Sequence, residues 1–199
     1  LEPWAAPVVV VDDGDYFAQH PVSRLQDFSI DDVLLGDLAA EHLLALGHRH
    51  IALLFGHLHH SAVHRDRLRG VRRALTRYGL TLDPAWLIET DVTLQGAATA
   101  QPQLSALYAQ GATAVLAMAD ILAMGCFHGL QRLGLAVPAQ VSLLGIDNLH
   151  ILNYLPLRLT TVGQDVYGRG YQAVRLLRGH QPALADVALI PGDSTAACQ

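Results

Sequence analysis

The chain has 199 residues, 51% of them hydrophobic and 16% charged, with a net charge of −5. That length and apolar content bury a sizeable core in one domain or two small lobes and exclude a disordered tail. Thirteen Lys and Arg without a long block supply no basic DNA-binding face, two cysteines are too few for a disulfide framework, and no uninterrupted apolar run spans a bilayer.

In chain order, residues 8–11 are a β-branched run ending at Asp12-Asp13-Gly14, a strand followed by a turn. Residues 16–30 show no clear period and read as a loop or irregular edge segment. Leu35, Leu38, Ala39, His42, Leu43 and Leu46 recur at helical spacing, with Asp31 or Asp32 able to cap the start and Gly47 stopping the run. A buried strand follows at 50–55, then an amphipathic helix through Leu68, Val71, Leu75 and Tyr78, closed by Gly79.

Residues 86–90 read as a strand. Residues 94–110 are helical in period, but Pro102 must kink them or mark a later helix start, because proline lacks the donor that a helix interior needs. A strand at 114–118, a helix at 121–133 closed by Gly134, strands at 141–146 and 159–162, a helix at 166–177 and a short strand at 187–190 complete the chain. Strands alternating with helices of this length predict a doubly wound α/β fold with a mainly parallel sheet.

Val141-Ser142-Leu143-Leu144-Gly145-Ile146-Asp147-Asn148 is an apolar run ending in an acid and an amide. A buried parallel strand of this kind delivers Asp147 to its carboxyl end, where open α/β sheets bind ligands. Together with Leu159-Thr160-Thr161-Val162-Gly163-Gln164, Leu46-Gly47-His48-Arg49-His50-Ile51-Ala52 and Arg67-Leu68-Arg69-Gly70, it resembles the effector-sensing core of lac-repressor-type (LacI/GalR) transcriptional regulators. That core is similar to the periplasmic sugar-binding proteins, and the resemblance runs from about Pro7 to Thr195.

The resemblance implies two doubly wound lobes joined by three crossovers, with the ligand between them. The crossovers are expected near Gly47–His48, at 163–165 and at 181–184, so that 48–164 and 184–199 make the C-terminal lobe and 1–47 and 165–183 a partial N-terminal lobe. The N-terminal lobe's first strands and the DNA-binding headpiece of such regulators have no counterpart ahead of Leu1, so the chain is expected to be a fragment, with exposed apolar faces that promote association.

Three ligand-binding residues are expected. The Asp147 carboxylate can accept hydrogen bonds from two neighbouring hydroxyls, and the acid at this position contacts the effector in the resembled family; a turn or cap role is the alternative. Arg67 offers a planar fork of donors that lysine cannot copy; the family places an effector-binding arginine there, against the alternative of one more solvated arginine beside Arg65, Arg69, Arg72 and Arg73. The Gln164 amide can donate and accept near the second crossover, or act as a hinge residue.

Two departures from the family stand out. Ala119 replaces the asparagine of an asparagine-aspartate pair, leaving Asp120 to be read as a helix cap, and Gly192 stands where many relatives have arginine. His57-Leu58-His59-His60-Ser61-Ala62-Val63-His64 is the densest histidine cluster, read as ligand contact or solvent-exposed loop rather than a metal site. No nucleophile elbow, phosphate-binding loop or zinc-helix motif occurs, and the Asp12-Asp13 and Asp31-Asp32 pairs read as turn and cap residues.

The expected protein is therefore no enzyme, needs no cofactor or metal, and binds a small sugar-like effector. Operator DNA is contacted only through a headpiece outside this chain, no membrane is engaged, and the family implies a homodimer. Without a basic-then-apolar leader a cytoplasmic location is expected, although a chain starting at Leu1 leaves an upstream segment open. A solute-binding protein of a sugar transporter is the alternative, with the same fold and cleft.

Overall fold

The computed structural model describes residues 8–10, 25–27, 30–181 and 187–198. The turn expected at 12–14 and most of the crossover expected at 181–184 lie outside them. The chain separates into two compact units, Leu1–Asp31 with Gln164–Val187 and Asp32–Gly163 with Ala188–Gln199.

In the smaller unit, β1 (Val8–Val10) pairs in parallel with β2 (Leu25–Asp27), Val9 lying opposite Gln26. The sequence reads as a loop or irregular edge segment at β2; a three-residue strand leaves too short a period to detect, and its pairing is made by backbone. Helix α6 (Val166–Leu177) begins at Asp165, whose carboxylate caps it by accepting from the Gly168 amide at 2.9 Å.

The larger unit carries α1 (Asp32–Ala45), β3 (Ile51–Phe55), α2 (Ala62–Arg77), β4 (Leu87–Glu89), α3 (Leu94–Thr99), α4 (Gln101–Ala109), β5 (Ala114–Ala117), α5 (Asp120–Arg132), β6 (Ser142–Asp147) and most of β7 (Thr160–Gln164). With β8 (Val187–Ile190), the strands follow the order β4-β3-β5-β6-β7-β8, and β4 through β7 are joined by parallel pairs. The α/β expectation holds.

Every residue of β3 and β5 is buried, as expected for strands covered on both faces. Ala52, Leu54, Val115, Ala117 and Leu143 join the core that includes Ala97, Leu104, Leu122 and Cys126 of α3, α4 and α5. Pro102 occupies the first turn of α4, so the long helical period resolves into two helices there.

Helices α1 and α2 cross so closely that a Cβ on Gly36 would stand 2.0 Å from the Arg67 carbonyl oxygen, and one on Gly70 2.0 Å from that of Val33. Residues 32–47 were assigned to the other lobe, but α1 is fastened to α2 and belongs to the larger unit. Helix α2 also starts earlier than expected, because Ser61 caps it by accepting from the His64 amide at 3.2 Å.

Candidate ligand-binding site

Arg67 lies in the second turn of α2, on the side that meets α1, and its side chain is only 5% exposed. Arg69, Arg72 and Arg73 of the same helix are exposed. The Arg67 guanidinium donates from Nε to Asp32 Oδ1 at 2.8 Å, from Nη1 to the Met118 carbonyl at 2.6 Å, and from Nη2 to Asp147 Oδ1 at 2.7 Å. Burial works against its charge, but Asp147 and Asp32 outweigh that effect and hold its pKa above the ordinary value.

Asp32 was read as a cap. Its role as the second acid on Arg67 depends on the α1–α2 crossing, which no local pattern announces.

Asp147 ends β6 and is followed by Asn148, with φ of 126° and 57° respectively. Two successive non-glycine residues in the left-handed region are strained by about 1–3 kcal/mol each and persist only when their surroundings hold them. Here Gly163, opposite Asp147 in the β6–β7 register, supplies the room: a Cβ on it would lie 2.2 Å from the Asn148 Cβ. The Asp147 side chain remains 29% exposed. A carboxylate braced by a buried guanidinium and still open to solvent is suited to accept hydrogen bonds from adjacent hydroxyls.

Arg67 and Asp147 are thus brought together at the carboxyl ends of β5 and β6. The backbone of Gln164 closes β7, one residue beyond Gly163; its side chain lies outside the described residues.

Asp120 does not cap its helix. The residue is fully buried, and it accepts from the Leu149 amide at 2.9 Å and the Thr161 hydroxyl at 2.8 Å.

The histidine loop is held by charges of its own. His57 bonds Glu89 through Nδ1 at 2.8 Å and Asp91 through Nε2 at 3.1 Å, and the Glu89 bond chiefly raises its pKa. Those acids lie on opposite sides of the ring and do not converge on one point. Among the described residues no group of three His, Cys, Asp or Glu is placed to hold a metal ion. His64 is buried and accepts from the Gly56 amide at 3.3 Å through Nδ1; burial pushes its pKa down to about 4.

The two remaining phrases fasten the far end of the sheet. His48 Nδ1 lies 2.9 Å from Thr113 Oγ1, and Nε2 lies within hydrogen-bond distance of both the Ala196 carbonyl, at 3.0 Å, and Ser142 Oγ, at 3.1 Å. The Ser194 hydroxyl donates to the Leu143 carbonyl and accepts from the Thr160 amide at 2.8 Å. Thr160 Oγ1 accepts from the Gly192 amide at 3.1 Å. Gly192 is confined by this strap: a Cβ on it would stand 2.3 Å from the Arg158 carbonyl oxygen, so no larger residue fits without backbone movement.

Residues 40–195 match the periplasmic binding protein-like domain. The chain belongs to that family. Within it the chain is similar to DNA-binding repressors: the HTH-type transcriptional repressor PurR of Vibrio vulnificus is 32% identical over 172 residues, covering 86% of this chain and 49% of the repressor. The ribose operon repressor of Haemophilus influenzae is 31% identical over 173 residues, with the same shares of 86% and 49%.

A LacI family transcriptional regulator from Enterococcus faecium, crystallised with bound ribose, superposes with a TM-score of 0.81 at 28% identity over 97% of this chain and 72% of that one. The resemblance to lac-repressor-type regulators therefore holds. The chain spans about half the length of the curated relatives it matches.

Proposed function

We propose that this chain is the effector-sensing core of a lac-repressor-type transcriptional regulator, and that a sugar or sugar-like metabolite binds at the carboxyl end of the larger unit's parallel sheet. The observation that carries this reading is the Arg67–Asp147 pair, which presents a fixed, part-exposed carboxylate at the end of β6. Arg67, Asp147 and Gln164 are the proposed ligand-binding residues. The bound ribose of the E. faecium regulator supports the choice of ligand class.

Effector binding biases the core between two conformations, and operator affinity changes by the difference in effector affinity between them. A net charge of −5 without a basic block favours DNA contact through another part of the regulator. The regulator acts as a cytoplasmic homodimer and catalyses no reaction, in keeping with relatives named as repressors. No helix among the described residues is long and apolar enough to cross a membrane.

Thermal-shift measurement against pentoses, hexoses and disaccharides tests the proposal. A ligand at a hundred times its Kd stabilises by about 2.7 kcal/mol. At least one sugar is expected to do so, and the shift is expected to vanish in Asp147→Ala. A sugar that stabilises the wild type and the variant equally would remove Asp147 from the site, and a panel without any shift would remove the sugar.

A further inference from the structure

Several features around Asp120 converge on the Asp147–Asn148 turn. The Asp120 side chain lies over β6, where Gly145 leaves it room: a Cβ at that position would stand 2.2 Å from Asp120 Oδ1. Helix α5 begins at Asp120 with Ala119 at its cap position, and the Asp120 carboxylate makes its hydrogen bonds outside its own helix. It reaches across to β7 and to the segment after β6, taking the Thr161 hydroxyl on Oδ1 and the Leu149 amide on Oδ2. The same Thr161 oxygen accepts from the Asn148 amide at 3.4 Å.

The amides that follow the two left-handed residues are thus both tied, one directly and one through Thr161, to a single buried carboxylate. Two strands carry glycine where any side chain would displace the arrangement: Gly145 under Asp120 and Gly163 under Asn148. Two residues before Asp120, the Met118 carbonyl takes Nη1 of Arg67, so the β5–α5 junction bonds both Arg67 and the segment that follows Asp147.

We propose that Asp120 is a positioning residue: by gathering the Leu149 amide and the Thr161 hydroxyl it holds the left-handed Asp147–Asn148 turn in the conformation that presents the Asp147 carboxylate to Arg67. Its importance for ligand binding rests on the function proposed above; its action on the turn does not. A carboxylate suits the task because it only accepts, and the groups that meet it are donors. Protonation replaces an acceptor with a donor and sets the Asp120 proton against them.

Burial pushes the Asp120 carboxyl up to about 6, with the Leu149 and Thr161 bonds opposing the rise and the Asp147 charge adding to it. Among the described residues the charged groups on this side are Asp147 at the end of β6 and, beyond it, Arg67 of α2 and Asp32 of α1. Mild acid is therefore expected to loosen the turn.

The test needs no ligand, so its result is independent of the proposed sensing role. Amide hydrogen exchange and NMR are recorded on the full chain, in the wild type from pH 7.5 to 5 and in Asp120→Asn and Thr161→Val. The Asn148 and Leu149 amides are expected to lose about tenfold of their protection in Asp120→Asn, the equivalent of one hydrogen bond to a charged group. The Arg67 guanidinium signals are expected to shift with them while β5 keeps its protection.

The wild type is expected to show the same changes with a midpoint near that of the Asp120 carboxyl carbon, and Asp120→Asn to lose that pH dependence; a merely structural contact would not reproduce this profile. Thr161→Val is expected to affect Asn148 more than Leu149. If the wild-type Asn148, Leu149 and Arg67 signals ignored the ionisation of Asp120, or if their pH dependence survived in Asp120→Asn, the positioning role would be overturned.

Discussion

Arg67 Nη2 lies 2.7 Å from Asp147 Oδ1, joining the second turn of α2 to the carboxyl end of β6. The two side chains differ sharply in environment, 5% exposed against 29%. The cation is therefore the anchored partner, and the acid is the one that faces outward.

Asp147→Ala removes an acid from a buried guanidinium that keeps Asp32. The expected loss of stability is about 1.5–3 kcal/mol, the range for a hydrogen bond to a charged group. Arg67→Ala takes the guanidinium away from two acids and the Met118 carbonyl and is expected to cost about 3–5 kcal/mol. Urea unfolding of both variants at pH 7 orders them, and the reverse order would mean that Asp147, not Arg67, is the anchored charge.

His64 makes the larger unit sensitive to acid. In the unfolded chain it takes a proton near pH 6.5, but in the folded state only near pH 4. Between those values the unfolded state holds more protons, so stability falls as pH drops, by about 3 kcal/mol once pH 4 is passed. Asp120 has the opposite sign. Its folded value of about 6 exceeds the ordinary 3.8, so its contribution is lost as pH rises from 3.8 through 6. The two nearly cancel in the wild type. His64→Gln is expected to gain on the wild type steadily as the pH of a denaturation series falls from 7 to 4, and parallel curves would show that His64 is not held neutral.

His48 joins the start of β3 to Thr113 and to the Ala196 carbonyl from a buried position. His48→Ala removes both bonds, leaving the Ala196 carbonyl only the longer one from Ser142 Oγ at 3.3 Å, and is expected to cost about 1–3 kcal/mol. The amides of Ala196 and Cys198, which bond Ser142 Oγ and the Leu46 carbonyl, are expected to exchange faster while α5 is unaffected. Unchanged exchange at those two amides would assign the hold on this segment to groups other than His48.

Gly145→Ala places a methyl where Asp120 Oδ1 lies within 2.2 Å. Overpacking of this kind costs about 1–3 kcal/mol. The expected signature is local: loss of protection at Leu149 greater than at Leu143 of the same strand segment. Uniform loss along β6 would mean that the strand, rather than the Asp120 contact, absorbs the added volume.

The alternation of buried strands and amphipathic helices was legible from composition and period alone, because hydrophobic patterning is written residue by residue along each element. Helix α6 and strand β8 were placed at their observed bounds for that reason. Asp147 was legible too, since an apolar run ending in a polar residue places it at the strand's carboxyl end.

Other relationships depend on contacts between distant segments, and their physical cause is absent from any local window. The glycine-mediated crossing of α1 and α2 turns Asp32 from a cap into a partner of Arg67 and moves residues 32–47 into the larger unit. Glycines 145 and 163 show their meaning only when Asp120 and Asn148 arrive above them. The sequence by itself determined the layers and the end of the sheet where the acid stands. Only the tertiary structure decided which charges meet there, because a buried ion pair is selected by the geometry of packed elements rather than by the propensity of either residue.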